Sequence, residues 1–132
     1  MSDYENLSID DELFLDDDEL VVEKKRGDFS ITEVELATIK SGFGVQLVVT
    51  FENDEVLPFP IKDRFFVKYE NPEKTDDENI RIVNMGQGQL SKIRKFNGLD
   101  SKVPSDLIGL VVSAEVWEDG DGFLRIGRYR KA

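Results

Sequence analysis

The residue types that most often carry catalysis and bind metals are missing from this sequence. The chain contains no histidine and no cysteine, so the usual general base, the thiolate nucleophile and the most frequent zinc ligands are missing. The run Asp119-Gly120-Asp121-Gly122 lacks the spacing and the distal Glu of a calcium loop, and we interpret it as a hairpin turn. Gly86-Gln87-Gly88 is not followed by the Gly-Lys-Ser/Thr of a phosphate-binding loop. Because no pair of carboxylates stands out among the many acids, we predict a protein that is not an enzyme and needs neither a metal nor another cofactor.

A different chemistry is indicated where cations and aromatic rings alternate with apolar residues. If Phe65 and Val67 point inward from a strand, then Arg64, Phe66 and Lys68 point outward. Cations pair with phosphates and exposed rings stack on bases, so this pattern favours binding of a single-stranded nucleic acid. The opposite register, with Phe66 in the core and Phe65 exposed, stays open because the two rings are adjacent.

The last segment of the chain repeats this alternation. With Leu124 and Ile126 inward, Phe123, Arg125 and Tyr129 are expected to point outward. Trp117 is placed on the outer face of the preceding strand, although a single Trp also commonly packs in a core or at its rim. The full set of predicted nucleic-acid contacts is Lys40, Phe43, Gln46, Lys62, Arg64, Phe66, Lys68, Trp117, Phe123, Arg125, Arg128 and Tyr129.

Hydrophobic periodicity predicts the elements that position these residues. Strands are expected at residues 29–40, 45–52, 61–69, 110–117 and 123–130. A helix is expected at about 85–97, beginning between 84 and 89 and ending before Gly98. Three strands, a helix and two more strands is the order of the OB-fold, a mainly β, five-stranded Greek-key barrel with one helix between strands three and four. A small β-sandwich is the alternative architecture.

The charge distribution divides the chain into an acidic arm and a nearly neutral domain. Ten of the 28 acidic residues lie in residues 1–23, which contain no Lys or Arg. The other 18 lie in residues 24–132, together with all 17 basic residues. We therefore assign residues 1–26 to an acidic, flexible N-terminal arm and residues 27–132 to the folded domain. The candidate partner-binding or autoinhibitory residues of the arm combine apolar and acidic side chains: Leu13, Phe14, Leu15, Asp16, Asp17 and Asp18.

Several short motifs, taken in order, resemble one protein family. They are residues 34–52 with their Lys40-Ser41-Gly42 turn, Asp63-Arg64-Phe65, residues 89–93, Leu107-Ile108-Gly109 and residues 125–129. Together they cover roughly residues 27–130 and resemble small bacteriophage proteins, once known only as a domain of unknown function, that bind single-stranded DNA. The resemblance implies an OB barrel that acts in phage DNA replication or recombination, but it implies no particular base-contacting residues. Many single-stranded-DNA-binding proteins carry an acidic tail at the C-terminus, whereas the acids here are N-terminal.

These observations lead to a hypothesis and two rivals. We expect a phage-encoded single-stranded-DNA-binding protein whose acidic arm contacts replication or recombination proteins of the phage or host. No apolar run approaches the ~18 residues of a membrane helix and no secretory signal is recognisable, so we expect the cytoplasm of an infected bacterium and no membrane partner. The rivals are a virion structural or assembly β-sandwich and an acidic, DNA-mimicking interaction module. The preference for DNA over RNA and the oligomeric state, including a homo-oligomer, are left open.

Overall fold

The computed structural model describes Ser8, Asp10 and residues 24–132. The arm residues singled out above, 13–18, lie outside the described residues. The elements are β1 (Lys24–Thr38), β2 (Gly44–Glu52), β3 (Ile61–Tyr69), α1 (Asp76–Phe96), a 3-10 turn (Pro104–Leu107), β4 (Val111–Glu118) and β5 (Leu124–Lys131). In this part of the chain no helix is long and apolar enough to cross a membrane.

The five strands form a single antiparallel sheet in the order β3-β2-β1-β4-β5. β1 is long enough to serve both halves, because residues 24–30 pair with β4 and residues 30–38 pair with β2. A bulge between Ile31 and Glu33 marks the change of partner, and bulges bend and twist the strand that carries them. The sheet therefore curls into a half-barrel, and the predicted mainly β chain with one helix between its third and fourth strands is confirmed.

The concave face of the sheet holds the core. Phe29, Ile31, Phe51 and Phe65 are almost completely buried there, beside the inward residues of β4. α1 covers one end of the half-barrel by burying Leu90 and Ile93 in the same cluster. Packing thus occupies most of the concave side of the sheet, and the convex face, the loops and the open mouth of the half-barrel present side chains to a ligand.

The helix begins earlier than predicted. α1 starts at Asp76 rather than between residues 84 and 89. Thr75 caps it, because its hydroxyl accepts a hydrogen bond from the Glu78 amide and donates one to the Glu78 carboxylate, in the Thr-x-x-Glu sequence pattern of a capping box. The prediction was wrong because two glycines, which usually weaken helices, were taken as the start of the element.

One of those glycines is required by the packing of α1 on β3. A Cβ atom at Gly86 would lie 2.3 Å from the Phe66 carbonyl oxygen and 2.7 Å from the Phe66 amide nitrogen. Next to it, the Gln87 side chain donates a hydrogen bond to the Val67 carbonyl. The helix therefore lies against the backbone of β3 at a distance that only glycine permits.

The first strand also begins earlier than predicted, at Lys24 instead of residue 29. Residues 24–26, which the charge pattern assigned to the arm, pair with β4, and Lys24 lies opposite Trp117. The acidic arm therefore joins the folded domain directly beside Trp117.

Candidate nucleic-acid interface

The convex face of β1, β2 and β3 carries acids on one side and cations on the other. Two rows cross the strands, Glu33–Thr50–Lys62 and Glu35–Val48–Arg64. Lys62 and Arg64 are exposed, whereas the central residues Val48 and Thr50 are buried despite facing away from the core cluster. A polyanion on this face would be attracted to β3 and repelled by β1.

The predicted register of β3 is confirmed for the adjacent aromatic pair. Phe65 is 1% exposed in the core, and Phe66 lies opposite Gln46 on the other face. Phe66 is nevertheless half-buried, and its ring meets the edge of Tyr69 at a centroid distance of 5.3 Å. A bulge next to Gln46 leaves Val67 packed against the core and Lys68 exposed. Phe66 can thus offer a base only part of its ring.

The convex face of β4 and β5 is richer in cations. It is centred on the half-buried Trp117, with the Arg128 guanidinium 5.9 Å from the ring centroid. Arg128 also contacts Glu115 at 3.2 Å, and Arg26 of β1 reaches the same carboxylate at 3.5 Å. We call Lys24, Arg26, Glu115, Trp117, Arg125 and Arg128 the Trp117 face. Its cations outnumber its acids, and its ring already makes a cation–π contact with a guanidinium.

The β4–β5 hairpin presents an exposed aromatic ring on an ordered turn. The Asp119 carboxylate accepts hydrogen bonds from the amides of Asp121 and Phe123 and from Arg125 Nε at 2.7 Å. The Arg125 hydrogen bond is the largest cause of the lowered pKa of Asp119. These bonds fix the turn expected from the Asp-Gly-Asp-Gly run, and Phe123 stands out from it with 63% of its surface exposed. Of the predicted contacts, Phe123 fits a base-stacking platform best.

The predicted outward orientation of Tyr129 is wrong. The register between β4 and β5 shifts between Ser113 and Glu115, and Arg128 adopts a positive φ of 53°. This bulge turns the next side chain inward, and Tyr129 packs against the core with its ring stacked on Phe51 at 5.4 Å. Upstream of the bulge the predicted alternation holds for the buried Ile126, whereas Leu124 is 39% exposed.

Tyr129 instead joins the two edge strands of the sheet, β5 and β3. Its hydroxyl donates a 2.5 Å hydrogen bond to the Asp63 carboxylate on β3, and its ring lies 6.0 Å from that of Phe65. Burial raises the pKa of Asp63, although hydrogen bonds from Tyr129 and the Arg64 amide oppose the shift. Burial beside this carboxylate also raises the pKa of Tyr129. The pair bridges β3 and β5, which we call the β3–β5 seam, and sequence reasoning missed it because the two residues are 66 positions apart.

The seam brings the two cationic surfaces together. β3 and β5 are in contact, and the Tyr129–Asp63 hydrogen bond joins them. The positive charge of Arg125 on β5 also lowers the pKa of Asp63. Lys62 and Arg64 flank Asp63 in the sequence and point to the convex side. The exposed cations Lys62, Arg64 and Arg125 therefore belong to the two strands that meet at the seam, whereas Glu33 and Glu35 lie on β1.

The remaining predicted residues lie at the opposite end of β2. Lys40 is exposed in the β1–β2 turn, Phe43 is 36% exposed, and Gln46 is half-buried at the start of β2. The Phe43 carbonyl accepts a hydrogen bond from the Glu70 amide, so this turn is tied to the end of β3. These residues lie at the end of the sheet remote from the β4–β5 hairpin, because that hairpin follows Trp117, which pairs with the first residue of β1.

One exposed ring was missed by the sequence analysis. Phe59 is 48% exposed in the β2–β3 loop, between Pro58 and Pro60 and three residues before Lys62. Because proline fixes its own φ and restricts the preceding residue, the loop holds this ring in a narrow range of conformations. The Pro-Phe-Pro pattern was the signal that could have identified it.

An open hollow of about 730 Å³ lies between the end of β3 and the start of α1. Its polar groups are largely paired with one another, since Asn79 donates to the Asn71 carbonyl and Asn71 donates to the Tyr69 hydroxyl. Within residues 24–132 and the two described arm residues, no three acids are grouped so as to hold a metal ion.

Comparisons with protein-family models, with curated proteins and with solved structures give no match for this chain.

Proposed function

We propose that this chain is a non-enzymatic protein that binds single-stranded DNA through an OB-fold. The observation that carries the proposal is the Asp63–Tyr129 hydrogen bond, which joins β3 and β5. Both strands carry exposed cations, and the exposed rings of Phe59 and Phe123 lie in the loops that lead into them. Cations that follow a phosphate backbone and rings that stack on bases are the two components of single-strand binding.

The strand connectivity supports the OB assignment. In that fold the first strand pairs with both the second and the fourth, and the third strand approaches the fifth to close the barrel. The order β3-β2-β1-β4-β5 has the first of these features, and the hydrogen bond between Asp63 and Tyr129 supplies the second. α1 lies against β3 at Gly86 and also contacts β5.

The charge pattern favours one path for the DNA. Glu33 and Glu35 lie on the convex face of β1. A DNA strand that crossed from β3 to β1 would therefore move from the cations of β3 to these acids. A path from Lys62 and Arg64 across the seam to Arg125 keeps the phosphates beside positive charge. The acids that contact Arg125 and Arg128 are Asp119 and Glu115, which hold these cations in place and reduce their net attraction.

The biological setting is proposed from the motif resemblance described above. The protein would coat exposed strands during phage DNA replication or recombination, in the cytoplasm of an infected bacterium. The acidic arm would supply the contact with phage or host proteins of those processes.

The proposal is tested by removing cations at two places. Lys62→Ala with Arg64→Ala is expected to weaken binding of a labelled oligo(dT) in fluorescence anisotropy and to reduce the salt dependence, because fewer counterions are released. The control is Lys92→Ala with Lys95→Ala, which removes the same charge from exposed positions on α1. Equal losses from both pairs would mean that only net charge matters and would contradict the proposed surface.

A further inference from the structure

An apolar groove opens at the mouth of the half-barrel, away from the Trp117 face. It has a volume of about 240 Å³ and lies between β1, α1 and the 3-10 turn. Leu36 and Val103 on its rim are 65% and 56% exposed. Two cations, Arg94 and Lys102, line it, and none of its lining residues is acidic.

The backbone of β1 is open along the same groove. β4 pairs with β1 only at residues 24–30, and the loop at Gly109 and Leu110 bonds to Ile31. Ile39 donates to Gly44 on β2, so by alternation the amides and carbonyls of Val34, Leu36 and Thr38 face away from β2. Among the described residues no strand pairs with this edge, and an extended peptide could add to it.

The groove specifies the chemistry of its occupant. Apolar side chains are needed for the floor, acids for Arg94 and Lys102, and an extended backbone for the edge of β1. The acidic arm has this composition, since Glu12 and Asp16 flank Leu13-Phe14-Leu15. In an extended segment Leu13 and Leu15 share one face, which can enter the groove while the neighbouring acids meet its cations.

The length of the arm favours the groove of a second copy over that of the same chain. Leu15 is nine residues from Lys24, so it reaches at most about 32 Å from the start of β1. Leu36 lies twelve residues along β1 from Lys24, at most about 40 Å for a straight strand, and β4 and the 109–110 loop occupy the edge between them. An arm that must pass around these elements has few conformations that reach its own groove and therefore a low effective concentration there, whereas a neighbour's arm has no such restriction.

We propose that the groove at the mouth of the half-barrel binds residues 12–18 of the arm of another copy. Such an interface is heterologous, because one copy contributes the arm and the next contributes the groove. Repetition links copies head to tail, an arrangement suited to neighbours on one DNA strand. The interface itself requires no DNA, so its test can fail while the proposed DNA binding holds.

The test is sedimentation velocity of the full-length chain across a concentration series without DNA. We expect self-association beyond the dimer. Leu36→Asp, or Leu13→Ser with Leu15→Ser, should weaken it about tenfold or more, since each change removes buried apolar contact. Met85→Asp is the matched control, because Met85 on α1 is 66% exposed and lies outside the groove.

The decisive measurement uses a mixture of the two defective variants. The groove variant retains its arm and the arm variant retains its groove, so an equimolar mixture should form a complex of two 15.1 kDa chains and nothing larger. A wild-type protein that is monomeric at every concentration would overturn the proposal. So would a mixture without a complex, or a Met85→Asp variant as defective as Leu36→Asp. Circular dichroism checks that each variant is folded.

Discussion

Replacing Tyr129 with Phe removes one hydroxyl group from the β3–β5 seam and leaves the ring in place. The ring contacts with Phe51 and Phe65 remain, so the packing loss is small. The Asp63 carboxylate loses its 2.5 Å donor and keeps only the Arg64 amide. Leaving a partly buried charged acceptor without its donor costs about 1–3 kcal/mol, and the charge places this case in the upper half of the range. We therefore expect a loss of about 2–3 kcal/mol in the free energy of unfolding at neutral pH.

The loss should depend on pH with a definite sign. The pKa of Asp63 is raised in the fold, so the folded protein holds this proton more tightly than the unfolded chain. The resulting stabilisation is fully present below the unfolded pKa of 3.8 and is lost as the pH rises through the raised folded value. The Tyr129 hydrogen bond lowers this pKa, so its removal raises the pKa further. The difference between wild type and Tyr129→Phe should consequently be largest near neutrality and shrink as the pH falls.

Urea unfolding at several pH values measures this difference, with each variant compared with wild type at the same pH. Tyr69→Phe is the control, because its half-buried hydroxyl accepts a hydrogen bond from the neutral Asn71 amide. It should cost less and show no comparable pH dependence. A Tyr129→Phe loss below about 0.5 kcal/mol, the size of an ordinary surface substitution, would refute the reasoning, as would a larger loss that does not change with pH.

Three further outcomes follow from the structure. Gly86→Ala should destabilise the protein by roughly 1–3 kcal/mol in thermal unfolding, because its Cβ meets the backbone of β3 at 2.3 Å. Gly88→Ala, whose Cβ has nothing within 4 Å, should stabilise the protein by about 1 kcal/mol. Similar effects of the two substitutions would contradict the packing of α1. Phe123→Ala should weaken oligo(dT) binding by roughly 1–3 kcal/mol, the loss of one stacked base, without lowering the melting temperature; unchanged affinity would remove Phe123 from the site. Deleting residues 1–23 should tighten binding to an oligonucleotide that is short enough to bind only one protein molecule, most clearly at low salt. The reason is that a tethered polyanion competes with DNA at about millimolar effective concentration. Equal affinities of the truncated and full-length proteins at low salt would contradict competition by the arm.

Periodicity in the sequence was sufficient for the five strands and their order along the chain, although β1 begins at Lys24 instead of residue 29. Alternation placed Phe65 in the core and Phe66 on the convex face, and both positions are confirmed. The helix start failed because a local rule about glycine competed with a tertiary requirement, the close approach of α1 to β3 at Gly86. The Thr-x-x-Glu pattern that begins at Thr75 is visible in the sequence and indicates the helix start, but the two glycines were given more weight.

The candidate site was less accessible to sequence reasoning, for two physical reasons. A bulge changes the parity of a strand without changing its residue pattern, so Tyr129 was placed on the wrong face by simple alternation. The Asp63–Tyr129 hydrogen bond joins strands distant in sequence, and single-residue properties carry no information about such a pair. Cations are readable by type, but their arrangement around the seam depends on how the sheet curls.

The central claim is that the surface across the β3–β5 seam binds single-stranded DNA, and one titration tests it most directly. Fluorescence anisotropy of the wild-type protein with a labelled single strand and with a duplex of equal length would be measured at several salt concentrations. We expect tight binding of the single strand, with log K falling linearly with log salt at a slope of about −3 if four cations contact phosphates. Duplex binding should be at least about tenfold weaker, because paired bases offer no faces to Phe59 and Phe123. Equal affinity for both DNAs, or no salt-dependent binding of either, would contradict the account.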